Sequence, residues 1–171
     1  MTAPETFKEE YSYSDLQPIW KDKGLSTEIK IQLLQTCIFE VLLYAAETWT
    51  TKKDDQHRPL AFEMQCYRHI LEVNWQDHIY NNEVQWEWTA LDTIRQRKLQ
   101  LFGHICRMPD DQTLKSLVFG MVEGERRPGQ PVRRWIDNIL MWCVQDIQKA
   151  MMMTMDRDNW RRFVASPYGP C

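Results

Sequence analysis

The side chains able to do chemistry are few and scattered. Cys66-x2-His69 and His104-x-Cys106 are ligand-like pairs, and four nitrogen or sulfur ligands hold zinc tetrahedrally. A helix puts Cys66 and His69 on one face. Residues two apart on a helix point about 200° apart, so His104 and Cys106 cannot both face one ion. The separation of the two pairs is also unlike that of compact zinc modules. The expectation is core thiols and partly exposed imidazoles, with no metal site. Two-metal phosphoryl transfer needs carboxylates that converge on two ions. The adjacent acidic pairs are Glu9-Glu10, Asp54-Asp55 and Asp110-Asp111. Asp110-Asp111 follows Met108-Pro109 at the end of a predicted helix, with no strand before it, so helix capping is its expected role. There is no Gly-x-Ser-x-Gly elbow and no phosphate-cradling glycine loop. The histidines have no acidic orienter in sequence. No catalytic residue and no cofactor are therefore expected.

The segment with most to say is basic. Arg126-Arg127-Pro128-Gly129-Gln130-Pro131-Val132-Arg133-Arg134-Trp135 joins guanidinium groups, a stiff loop and an aromatic ring. Arginine offers forked donors for phosphate oxygens, and a proline-rich loop loses less entropy on docking. Arginine at a helix N-terminus opposes the helix dipole, so Arg133 and Arg134 suggest a task beyond helix building. The alternative is a solvated basic loop. Trp135 reads better as a core anchor than as a base-stacking platform. Charge follows the same division. Residues 1–94 carry 8 Lys+Arg against 16 Asp+Glu, residues 95–134 carry 9 against 4, and residues 135–171 carry 4 against 4. Any polyanion contact is expected in the basic middle.

These residues need helices to position them. Hydrophobic residues make up 43% of the 171, enough for a core, whereas Gly numbers only 6; short β-branched runs add to the helical leaning. Ser26 can cap a helix running to about Thr48, with Ile31, Leu34, Ile38, Val41, Leu42 and Ala45 as its apolar stripe. Val41-Leu42-Leu43-Tyr44-Ala45-Ala46 is apolar all round, which predicts a central helix. A second helix spans about Arg58 to Glu72, with Pro59 in its first turn and Leu60, Met64, Tyr67 and Leu71 inward. Glu83 to Trp88 reads as a short helix. Asp92 can cap a third helix to about Arg107, carrying Ile94, Leu101, Phe102 and Ile105. Lys98 falls on that apolar face, so its stem must run along the core to bring its head to water. Thr113 to Phe119 is a short helix. A fourth long helix is predicted from Val132 to Ala150, with Trp135, Ile139, Trp142, Cys143 and Ile147 inward. Asp156 or Asp158 can cap a last helix through Trp160 and Phe163.

The N-terminus lacks the basic and apolar regions of a signal peptide. The longest apolar stretch, Cys37 to Ala46, is too short to span a membrane. The five Cys are irregularly spaced, so reduced thiols in a nuclear or cytoplasmic setting are expected. The predicted organisation is a flexible arm at 1–15, a helical region at 16–122, a basic loop at 123–131, a helical extension at 132–165 and a tail at 166–171. The fold class is all-α: an irregular bundle of four long helices with short ones and a basic Gly/Pro loop.

The order of segments resembles the post-palm region of LINE-type (non-LTR) retrotransposon endonuclease–reverse transcriptases. Trp20-Lys21-Asp22-Lys23-Gly24-Leu25-Ser26 resembles the stretch just after the palm. Val41-Leu42-Leu43-Tyr44-Ala45-Ala46-Glu47-Thr48-Trp49 looks like the family's LLYGAETW helix. Phe62 to Leu71, Trp75-Gln76-Asp77 and Asn82-Glu83-Val84 have counterparts in the same order. Leu101 to Pro109 is similar to the family's LGH..RMP. The Arg126–Trp135 loop and Asp156-Arg157-Asp158-Asn159-Trp160-Arg161 resemble its basic and closing motifs. The likeness covers residues 16–165. Departures are Glu125, Gln130 and Val132, where the family is often basic, and a shortened stretch at 85–95. Residues 1–15 match nothing in it.

The resemblance implies a thumb-like helical region with a C-terminal extension that grips template RNA and growing duplex. It implies contacts rather than chemistry, since the fingers and palm with their catalytic aspartates are not in this sequence. His104, Arg107, Arg126, Arg127, Arg133 and Arg134 are the implied nucleic-acid-binding residues. The expected function is weak, sequence-independent binding of RNA or an RNA–DNA hybrid by a non-enzymatic segment, away from any membrane. The rival classes are a helical protein-interaction module or homodimer, favoured by apolar surface that a palm would otherwise cover, and a relic without selected function.

Overall fold

The structure is a computed structural model that describes residues 16–51, 57–84, 89–120, 134–143 and 146–166. The expected arm at 1–15, the Gly/Pro loop at 123–131 and the tail beyond Ser166 lie outside the described residues. So do Arg126, Arg127 and Arg133. Among the described residues the regular elements are helical, with Thr50 as an isolated bridge residue; the all-α expectation holds. No helix among them is long and apolar enough to cross a membrane. The chain forms two compact units. The first takes in the described residues within 16–46 and 57–94, the second those within 47–51 and 95–166.

In the first unit, α1 (Gln17–Lys21) precedes α2 (Thr27–Leu33), whose N-cap is Ser26; its hydroxyl accepts from the Ile29 N–H at 3.4 Å. Lys30 lies inward, and its ammonium donates to the Trp20 carbonyl at 2.8 Å, tying α2 to α1. The helix then widens into a π turn over Leu34–Phe39 before α3 (Glu40–Leu42). Thr36 sits in that turn and donates its hydroxyl to the Gln32 carbonyl at 2.8 Å, the kind of side-chain bond that bends helices. An i→i+5 ring is one residue longer than an α turn, so the apolar stripe slips by one. Ile31, Leu34 and Ile38 are buried as expected. Beyond them Phe39, Leu43 and Ala46 go inward, in place of the expected Val41, Leu42 and Ala45. Val41 is 59% and Tyr44 80% exposed, so the run 41–46 is not buried all round. The left-handed φ of 55° at Ala45 stops the helix.

α4 (His57–Ile70) buries Met64, Cys66, Tyr67 and Ile70, with Pro59 in its first turn. Tyr67 meets Phe39 edge-on at 6.3 Å between ring centroids. α4 also buries Glu63, which the hydrophobic pattern did not anticipate. Its carboxylate accepts from the Tyr67 hydroxyl and from the Ala90 N–H, each at 3.0 Å. It thereby satisfies one of the orphan amides of α6 (Ala90–Cys106). Burial pushes the Glu63 carboxyl above its usual range, and its two hydrogen bonds act against that rise. α6 starts earlier than expected. Thr89 and Asp92 form a reciprocal cap: the Asp92 N–H donates to the Thr89 hydroxyl at 3.2 Å, and the Thr89 N–H to the Asp92 carboxylate at 3.1 Å. The Arg68 guanidinium donates to the Ile79 carbonyl at 2.5 Å and to Asn81 at 3.0 Å. These bonds hold the loop ahead of α5 (Asn81–Val84).

The second unit adds α7 (Thr113–Phe119), α8 (Trp135–Cys143), α9 (Ile147–Met155) and α10 (Arg157–Ala165) to the rest of α6. The expected helix from 132 to 150 is two helices, because Asp146 is an extended N-cap whose carboxylate accepts from the Ile147 N–H. Leu99, Phe102, Cys106, Ile136, Ile139, Cys143, Ala150, Trp160 and Val164 make one core. Each large member contributes on the order of 1.5–3 kcal/mol by leaving water.

A polar knot sits beside that core. Asn138 exchanges bonds with the Thr51 backbone, accepting from its N–H at 3.1 Å and donating to its carbonyl at 2.8 Å. The Lys98 ammonium donates to the Asn138 side-chain oxygen at 2.9 Å and to the Trp49 carbonyl at 2.5 Å. It lies 5.4 Å from the Trp135 ring centre and 5.5 Å from that of Trp142, within cation–π range. Lys98 is 0% exposed, so its head ends in this knot and never reaches water.

Candidate nucleic-acid interface

Of the six residues singled out for nucleic acid, His104, Arg107 and Arg134 are described, and all three are exposed. His104 and Arg107 sit at the C-terminal end of α6. What positions them is the contact between α6 and α10. A Cβ built at Gly103 would lie 2.3 Å from Trp160 Nε1 and 2.6 Å from Trp160 Cδ1. Only glycine leaves room for the indole. The Trp160 N–H then donates to the Leu99 carbonyl at 3.1 Å. Phe102 and Phe163 flank the indole, at 5.9 and 5.2 Å between ring centres. The segments 101–109 and 156–161 are therefore packing partners.

Arg107 is held as well as exposed. Its Nη1 donates to the Thr154 carbonyl at 2.8 Å, near the end of α9. The same nitrogen lies 3.2 Å from the Cβ position of residue 103. The guanidinium is thus fixed beside Trp160, with its remaining donors available to an anion.

Arg134 stands just before α8. Its backbone N–H donates to the Asp137 carboxylate at 2.7 Å, and its side chain pairs with Asp137 at 3.3 Å. The dipole penalty expected for arginine here is offset by an acidic residue in the same first turn. With 74% of its side chain exposed, Arg134 loses little by exchanging this pair for a phosphate. Trp135 is committed to the fold: its indole N–H donates to the Glu47 carbonyl at 2.6 Å.

The other candidates for chemistry have structural partners. Asp110 does not cap a helix. It pairs with Lys115 at 2.7 Å, and this ammonium holds its carboxyl below the usual range. Lys115 also donates to the Met108 carbonyl at 2.8 Å, closing the turn between α6 and α7. Cys66 is fully buried, and its thiol is pushed up to about 12, chiefly by burial. Burial raises Cys106 too, with Thr154 and the nearby cations opposing. Both are protonated core residues at neutral pH. Among the described residues no three His, Cys, Asp or Glu side chains converge as a metal site would require.

The charge pattern along the sequence did not point to α10. Arg157, Arg161 and Arg162 are all exposed on it. They were hidden by alternation, since Asp156-Arg157-Asp158 reads as acidic rather than basic. Asp156 is the N-cap, accepting from the Asp158 and Asn159 N–H groups at 3.1 and 3.0 Å. Neither a family model, nor a curated protein, nor a solved structure matches the chain.

Proposed function

We propose that the chain is a LINE-type retrotransposon reverse-transcriptase segment from the thumb-like region that follows the palm. On this reading its longer helices form a bundle that grips rather than catalyses. It binds RNA or an RNA–DNA hybrid through the phosphate backbone, weakly and without regard to sequence, in the nucleus or cytoplasm. Arg126, Arg127, Arg133 and Arg134 on the basic loop, with His104 and Arg107 on α6, make the contacts. The observation that carries the reading is the ordered succession of family-like segments over residues 16–165. The pairing of Gly103 with Trp160 supports it, because the most restrictive residues of two such segments explain each other. Phosphate contacts release counterions. Affinity for a single-stranded RNA and for an RNA–DNA hybrid, followed by fluorescence anisotropy, is therefore expected to fall steeply between low and physiological salt. Absence of binding to both probes at low salt overturns the reading.

A second reading, a helical interaction module or homodimer, draws on Leu117, Met152 and Met155, which are 71%, 74% and 59% exposed. Light scattering separates the two. A tight dimer that is indifferent to RNA favours the module.

A further inference from the structure

We propose that α10 carries a second phosphate-contacting surface, in which Arg157, Arg161 and Arg162 act with Arg107, separately from the basic loop. This inference rests on the nucleic-acid reading above and names where on the folded part of the second unit the strand lies.

Arg162 lies in the last turn of α10, where a cation suits the helix dipole, whereas Arg157 and Arg161 bring less to the helix. Arg157 is the first residue of α10, at the positive end of the helix dipole. Arg157 and Arg161 are four apart, the spacing at which like charges oppose a helix. The acids nearby, Asp156 at the N-cap and Asp158 in the first turn, offset Arg157 against the dipole, and both are exposed. Asp156 is occupied by the backbone amides it caps and by the Asn159 side-chain amide. Asp158 faces Arg161 at 3.9 Å, with 85% and 71% of the two side chains exposed; such a pair is worth little and is easily exchanged. Arg162 donates to Asn159 at 2.5 Å, which steadies it without neutralising it.

Placement gives the surface its reach. Trp160 docks α10 on Gly103, so the arginines on either side of it stand on a fixed platform. The Thr154 carbonyl that holds Arg107 lies three residues before Arg157, which brings a fourth guanidinium to the start of α10. Residues four apart on a helix are about 6 Å apart along its axis. A nucleic-acid strand rises about 3.4 Å per nucleotide. At that spacing Arg157 and Arg161 stand about two nucleotides apart along one strand. Forked guanidinium donors suit phosphate oxygens better than lysine would.

The test uses the full chain and two probes, a single-stranded RNA and an RNA–DNA hybrid of equal length. Arg157→Ala with Arg161→Ala and Arg162→Ala is expected to weaken binding at least tenfold at low salt. The slope of log affinity against log salt should fall by about 2, at roughly 0.7–0.9 for each phosphate no longer neutralised. Lys21→Ala with Lys23→Ala and Arg58→Ala removes three charges from the first unit and is expected to change affinity less than threefold. Replacing the three α10 arginines by lysine should keep most of the salt slope. If the triple alanine variant does not melt cooperatively, the exposed single change Arg161→Glu decides, with a fivefold or greater weakening expected. Weakening on one probe alone identifies which form of strand α10 meets. An unchanged slope in the α10 variants, with binding abolished in Arg126→Ala/Arg127→Ala, overturns this surface and leaves the basic loop as the interface. No binding by the unaltered protein overturns both.

Discussion

The indole of Trp160 stands in the space that a side chain at position 103 would need. A Cβ there would fall 2.3 Å from Nε1, and that nitrogen donates to the Leu99 carbonyl one turn earlier on α6. The missing methyl of Gly103 and the bulk of Trp160 are one feature divided between two helices.

Gly103→Ala is therefore expected to destabilise the protein even though alanine is the better helix former. Helix propensity returns roughly 0.5–1 kcal/mol, while overpacking costs about 1–3 kcal/mol and the indole bond is also displaced. The net loss should be about 1–3 kcal/mol in urea denaturation. Trp160→Phe in the same background should cost less than it does alone, since residues in contact do not add. Strict additivity would show that the two do not touch.

Asn138→Ala is expected to be among the most damaging single changes in the second unit. It leaves the Thr51 N–H and carbonyl without their partner and takes one acceptor from a buried ammonium. Leaving a buried donor or acceptor without its partner costs about 1–3 kcal/mol, and more beside a charge. Arg134→Ala, whose ion pair is exposed, should stay within about 1 kcal/mol. Equal losses in the two variants would mean that the knot around Lys98 does not hold the core.

Glu63 makes stability depend on pH in a direction unusual for a carboxylate. Its folded pKa is raised from 4.5, chiefly by burial. The folded state then holds the proton more tightly than the unfolded chain. The stabilising contribution is full below about 4.5 and is lost as pH rises through the folded value. Glu63→Gln keeps acceptors and donors for Tyr67 and Ala90 and removes the charge. It should flatten the fall in melting temperature as the pH rises above about 4.5. Parallel melting curves for the two proteins across that range would count against this assignment. Glu63→Ala should cost about 2–4 kcal/mol at any pH, through a cavity and an orphaned amide.

Thiol labelling gives a fourth check. Cys37 is exposed, whereas Cys66, Cys106 and Cys143 are buried. Burial pushes Cys66 up to about 12 and Cys143 up to about 11, the latter against the pull of Arg95. In a Cys171→Ser background at about pH 8, a disulfide reagent should modify Cys37 quickly and the other three only on unfolding. Rapid modification of Cys66 in the native protein would contradict its burial.

The helical class and most helix positions were legible because apolar spacing survives in the stretches that pack. The slip after Ile38 was not. It depends on one longer hydrogen-bonded ring around Thr36, which no apolar spacing records. The break at Asp146 was missed for a related reason: the apolar stripe of α8 runs on into α9, and only the capping carboxylate marks the join. Lys98 was expected to reach water because solvent is where lysine heads usually end. Its partners Trp49 and Asn138 lie 49 and 40 residues away in sequence. Of the candidate interface, His104, Arg107 and Arg134 were singled out by the resemblance, and the structure shows them exposed. Arg157, Arg161 and Arg162 were not, since the neighbouring aspartates mask them when charge is counted along the chain. On a helix, direction rather than adjacency decides what a ligand meets.

The bond between Thr51 and Asn138 spans 87 residues, and it has a consequence for how the chain is made. The segment around Thr51 leaves the ribosome long before its partner exists. It must wait in solvent while the first unit, whose sequence interrupts the second, completes itself. Closing so distant a contact is a slow step in folding. A truncated product beginning at Arg95 would never receive the Glu47–Thr51 segment, and would carry the Lys98 ammonium into a core already short of the Trp49 carbonyl.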